Sequence, residues 1–109
     1  MVKFDEFFKE LGKELVEFAE YSWRKYRDAA IKDGKVFLEK NKADLERWIK
    51  LLASGALTQD DFEWLIAGKK DLAEMYALKQ AGLTKVALDR FINGLIDTIV
   101  ATAFKSLKI

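Results

Sequence analysis

The chain has 109 residues, half of them apolar and about a third charged, with 19 lysines and arginines against 18 acids. That composition fits one ordinary globular domain over residues 1–109 and lacks the basic excess on which nucleic-acid or anionic-membrane binding draws. Cysteine, histidine and proline are absent, which excludes disulfides and zinc-thiolate sites, removes the commonest general base and transition-metal ligand, and suits a chain made of helix.

The opening MVKFDEFFKELGKEL has acids in its first turns and no apolar run ending in small residues, so it does not read as a secretory signal and a cytoplasmic location is expected. Residues 3 to 32 are predicted as one long helix, with Phe4, Phe8, Leu11, Leu15, Phe18, Ala19, Trp23, Tyr26 and Ala30 at helical spacing. Acid-first pairs such as Asp5 with Lys9 and Glu20 with Arg24 add a few tenths of a kcal/mol each.

Asp33 and Gly34 are a soft stop signal, because the apolar stripe passes through them in phase: Tyr26, Ala30, Gly34, Phe37, Asn41, Leu45, Trp48, Leu52. Its period, about 3.67 residues, is that of a nearly straight helix. Gly34 is therefore either a tight turn or a small residue that permits close packing. If unbroken, this helix would be about 75 Å long.

A firmer break follows at Ser54 to Asp61, where Gly55 supplies a helix stop, Thr58 an N-cap and Asp60 and Asp61 the acids a helix start favours. A third helical stretch is predicted from about Gln59 to Ala81, carrying Phe62, Leu65, Ile66, Leu72, Met75, Tyr76 and Leu78, with Gly68 as a candidate kink. Ala81, Gly82, Leu83 and Thr84 form a second stop-and-cap signal, a soft one like Gly34, because the stripe Leu72, Met75, Lys79, Gly82, Val86 passes through it in phase and leaves continuity open.

The last helix, Thr84 to Leu107, is predicted to be the centre of the fold. Leu88, Phe91, Ile92, Leu95, Ile96, Ile99, Val100, Ala103, Phe104 and Leu107 cover more than half its circumference, while Asp89, Arg90, Asp97 and Lys105 are too many charges for a bilayer span. The expected class is all-α, an antiparallel helical bundle. Two arrangements satisfy the pattern: four helices up and down, or two long helices in a hairpin that dimerises.

Several constellations invite a functional reading. The run Trp23, Arg24, Lys25, Tyr26, Arg27 could grip phosphate, but Glu17, Glu20 and Asp28 offset its field, and a solvated face beside an aromatic ridge is favoured. Glu10, Glu14 and Glu17 lack the histidines that a di-iron bundle would pair with them, so no metal and no cofactor is expected. Asp60 and Asp61 read as helix-start acids rather than an acid–base pair.

Asp89, Asn93 and Asp97 step by four along the last helix and are a candidate buried polar network, weighed against the plainer and favoured reading that they lie at the margin of the solvent face. The narrow polar side of that helix, Ala87, Arg90, Gly94, Thr98, Ala101 and Lys105, is a candidate interface, since small residues admit a close helix contact. No catalytic constellation is present, and an enzyme is not expected.

The leading expectation is a non-catalytic interaction or structural module that self-associates through its long apolar helices, as a homodimer or with a protein partner. The first alternative is a carrier or sensor of an apolar small molecule inside the bundle. The second is an amphipathic membrane-active protein, which the near-zero net charge disfavours.

Overall fold

Helix α1 (Phe4–Ser22) turns Phe4, Phe7, Leu11, Leu15 and Ala19 inward, a spacing of three and four that lines one side of a helix. The computed structural model describes residues 3–107. The helix expected over residues 3 to 32 stops at Ser22. Trp23 leaves helical geometry at φ −129°, ψ 41°, a 3-10 turn covers Arg24–Tyr26, and α2 (Arg27–Lys40) packs back beside α1.

No glycine or proline lies between Gly12 and Gly34, so the corner is made by packing rather than by local propensity. The Trp23 ring meets Phe91 edge-on with centroids 5.5 Å apart, and Phe18 rests on the same ring at 5.6 Å. Such aromatic pairs are worth about 0.5–1.5 kcal/mol beyond their burial. Arg27 clasps the corner, donating to Glu20 at 3.1 Å and to Asp28 at 3.0 Å. The Glu20 hydrogen bond is the main reason the Arg27 pKa is raised.

Gly34 is not a turn. It is buried inside α2, where a Cβ would collide with the side chain of Leu15, so of its two roles it takes close packing, here between α1 and α2. The stripe Gly34, Phe37, Asn41, Leu45, Trp48, Leu52 is buried throughout, but the backbone is jointed at Asn41 between α2 and α3 (Lys42–Ala53). Asn41 is 7% exposed and donates from Nδ2 to the Phe37 carbonyl at 2.9 Å. The longest dimension is 42 Å, so the single helix of about 75 Å is not formed and the long-hairpin arrangement is not the one adopted.

After α3 the chain turns through Gly55 at φ 82°. Its N–H bonds the Leu52 carbonyl and that of Ala56 bonds Leu51, the paired bonds of a Schellman ending whose left-handed residue favours glycine. Helix α4 (Gln59–Ala67) then starts at the expected Thr58 N-cap, and Asp61 completes it as a capping box, with Asp61 N–H donating to Thr58 Oγ1 at 3.1 Å and Thr58 N–H donating back to the Asp61 carboxylate at 3.5 Å.

The third helical stretch is split. Helix α4 ends at Gly68, a 3-10 turn spans Leu72–Glu74, and α5 is only Tyr76–Gln80. The physical reason lies on α2. The carboxylate of Asp33, 3% exposed, accepts the N–H groups of Ala77 and Leu78 and so fixes a new helix start at Tyr76. Met75, 1% exposed, is buried at the break. A second Schellman ending closes α5, with Gly82 at φ 101°, Gly82 N–H on the Lys79 carbonyl and Leu83 N–H on that of Leu78.

Helix α6 (Lys85–Leu107) is the centre of the core. Leu88, Phe91, Ile92, Leu95, Ile96, Ile99, Val100, Thr102 and Ala103 are buried along it, and burying each large one is worth about 1.5–3 kcal/mol. It runs antiparallel to α1, as Trp23 on Phe91, Phe18 on Gly94, and Glu10 and Glu14 near Lys105 together show. Helix α4 and the 72–74 turn also pack against it. The all-α expectation holds, with six helices rather than four and no strand among the described residues. No described helix is long and apolar enough to cross a membrane.

Candidate interaction site

The small-residue side of α6 meets α1 of the same chain. A Cβ on Gly94 would lie 2.8 Å from Phe18 Cζ, Thr98 returns its hydroxyl to the Gly94 carbonyl at 2.9 Å, and Lys105 reaches Glu14 at 3.5 Å and Glu10 at 3.9 Å. Ala87 is half-buried, and Arg90 and Ala101 are exposed. The close approach permitted by glycine is thus used by an intramolecular helix pair.

Asp89 and Asn93 do join, with Asn93 Nδ2 donating to Asp89 at 3.3 Å. The network lies at the surface, not buried: Asn93 is exposed, Asp89 half-buried, and Asp97 exposed one turn further on. Its third member is Lys70, from the connection after α4, which pairs with Asp89 and donates to Asn93 at 3.4 Å. The sequence separation of Lys70 from α6 hid that partner. No group of three or more histidine, cysteine or acidic residues able to hold a metal ion occurs among the described residues.

A surface outside these expectations has the most unusual chemistry. Helix α4 buries Phe62 and Ile66, a spacing of four that fixes its inner face and turns Trp64 outward. Trp64 is 76% exposed, while Trp48 on α3 is 6% exposed. Between α3 and α4 runs a groove of about 500 Å³ lined by Trp48, Trp64, Leu65, Ala67, Gly68 and Lys69. A large exposed aromatic beside a concave apolar floor is uncommon on a monomer surface and marks contact sites.

The electrostatics around that floor are ordered. Lys69 Nζ lies 5.8 Å from the Trp48 ring centroid and the Arg47 guanidinium carbon 5.9 Å, near the outer limit for cation–π attraction. Asp44 holds both cations, at 2.8 Å from Lys69 and 2.9 Å from Arg47. Hydrogen bonding to Lys69, ahead of the Arg47 charge, keeps the Asp44 carboxyl below its usual pKa. Trp64 itself was legible as an outlier, since it falls two positions after Phe62 and off the Phe62, Leu65, Ile66 stripe.

No protein-family model, curated protein or solved structure matches the chain.

Proposed function

We propose that the protein is a non-catalytic helical interaction module that self-associates as a homodimer, with the α3–α4 face carrying Trp64 as the contact. The observation that carries this reading is the 76% exposure of Trp64 beside its own groove. A protruding ring and a receiving groove on the same patch make that patch complementary to itself, which is what a two-fold contact requires.

Charge supports the same geometry. Along α4 and just beyond it the chain reads Asp60, Asp61, Glu63, Trp64, Lys69, Lys70. Two copies antiparallel about Trp64 bring the acidic end of each against the basic end of the other. Lys69 and Lys70 are already bonded to Asp44 and Asp89, so this term sets orientation more than strength. A net charge of only +1 leaves little repulsion between copies. Self-association through α6 has less support, because its apolar circumference is covered by α1, α4 and the 72–74 turn.

Sedimentation equilibrium on the native chain and on Trp64→Ala tests the proposal. The expected outcome is a dimer whose dissociation constant rises by about tenfold or more in the variant, as for an aromatic interface anchor, with unchanged helical circular dichroism. A native chain that is monomeric at several hundred micromolar, or a dimer indifferent to Trp64, overturns it.

A further inference from the structure

A second groove, which shares no lining residue with the one beside Trp64, opens between the connection that precedes α5 and the start of α6. It encloses about 420 Å³ and is lined by Leu72, Ala73, Lys79, Leu83, Lys85 and Leu88. Leu88 is 3% exposed and forms part of the floor, and Leu72 and Leu83 are half-buried. Lys79 and Lys85 are exposed. The lining therefore holds four apolar residues, two cations and no acid.

We propose that this groove binds a small amphipathic anion, a carboxylate on a linear apolar chain, with the chain on Leu72, Leu83 and Leu88 and the head between Lys79 and Lys85. The volume lies in the range of roughly 300–1,000 Å³ typical of small-ligand sites, which combine an apolar lining with a few polar groups that set orientation. Charge selects the ligand class. The groove gathers two positive charges in a chain whose net charge is only +1, and neither lysine makes an ion pair among the described residues.

Lys40, Lys50, Lys69, Lys70 and Lys105 each pair with an acid, whereas Lys79 and Lys85 are among the surface lysines that do not, and what sets these two apart is their shared place on one apolar groove. The lysine stems extend the apolar wall while their ammonium groups stay wet, so an anionic head binds without losing its water wholesale, and the chain displaces water from leucine surface. An uncharged apolar molecule leaves the two cations unused. A bilayer is a poorer match, because Leu88 at the floor is 3% exposed and a chain of net charge +1 has little attraction to an anionic surface.

The test is titration of isotope-labelled protein with sodium decanoate below its micellar concentration, following the leucine methyl resonances. Decanol, phosphatidylglycerol vesicles and the Lys79→Gln/Lys85→Gln variant serve as comparisons. The expected result is saturable shifts centred on Leu72, Leu83 and Leu88, with affinity falling by about tenfold or more in the variant and for decanol, as loss of charge-assisted contacts implies. Equal binding of decanol and decanoate, shifts centred at Trp64, binding to vesicles alone, or no saturable shift each overturns the proposal. Because both lysines are exposed, the variant is expected to keep its helical circular dichroism, and the outcome does not depend on whether the chain dimerises.

Discussion

The carboxylate of Asp33 on α2 accepts hydrogen bonds from the N–H groups of Ala77 and Leu78 at 3.0 and 2.7 Å, 44 and 45 residues further along the chain. It does for α5 what Thr58 does for α4, but from another helix. Helix α5 has no side-chain cap of its own, since Met75 occupies its N-cap position. Asp33→Ala leaves two N–H groups without their acceptor and is expected to lower stability by about 1–3 kcal/mol. Asp33→Asn, which keeps one acceptor oxygen, is expected to lose less. Urea unfolding midpoints of the three proteins check the order, and a change below about 0.5 kcal/mol in Asp33→Ala would show that the cap is dispensable.

Gly34 and Leu15 set the distance between α1 and α2. Leu15 is fully buried, so its methyl groups have nowhere to go when a Cβ arrives. Gly34→Ala is expected to cost about 1–3 kcal/mol by overpacking. Shortening Leu15 to valine in the same chain should restore part of that loss, and the sign of the coupling in a double-mutant cycle is the readout. Additive effects would mean that the two positions do not share the space.

Gly94 makes the corresponding contact between α6 and α1, against Phe18. Phe18 is only half-buried, so part of the strain can be relieved toward solvent. Gly94→Leu is expected to lower the melting temperature by several degrees while leaving the self-association constant unchanged. A stable but monomeric Gly94→Leu protein would instead assign the small-residue side of α6 to the dimer contact.

Asp44 links pH to the Trp48 groove. Its folded-state pKa is lowered by Lys69 and then Arg47, so the stabilisation is complete above about pH 4 and fades as pH falls through the lowered value. Its side chain is a quarter exposed, and the effect is expected to stay below about 1 kcal/mol. Thermal melts of the native chain and Asp44→Asn between pH 7 and pH 2 check it: the gap between them should close at the acid end. A gap that persists there would place the role of Asp44 in packing rather than in charge.

Local signals were legible where the chain carries its own chemistry. The Thr58 N-cap with its following acids, the stop at Gly55 and the helical character of α6 are readable because each depends on neighbours within a few residues, whereas at Gly82 the stop signal and the in-phase stripe disagree and the structure takes the stop. The corner at Trp23 was not, and at Gly68 only a kink was legible rather than the full split into α4 and α5, because both are made by distant partners. Phe91 receives Trp23 from 68 positions away in the numbering, and Asp33 cuts the Gln59–Ala81 stretch from α2. A stripe in phase reports which residues face inward and not whether the backbone between them is continuous, as Asn41 illustrates.

The same dependence applied to the sites. The small-residue side of α6 was visible, but its occupant, Phe18 of α1, depends on a fold that periodicity does not specify. Lys70, Lys79 and Lys85 read in sequence as ordinary surface lysines, and only tertiary placement separates the first, joined to Asp89, from the other two, which line the second groove.

The shortness of α5 bears on local stability. Five residues fall far below the roughly 12–15 needed for a helix to persist alone in water, and the bonds that hold its start come from α2. Residues 68–84 are therefore expected to open as one unit before global unfolding, which native-state hydrogen exchange would show as amides in this segment exchanging ahead of those in α1 and α6. Since this unit supplies Leu72, Ala73, Lys79 and Leu83 to the second groove, an occupant that binds only the closed form would lower the open population by the factor one plus its concentration over its Kd.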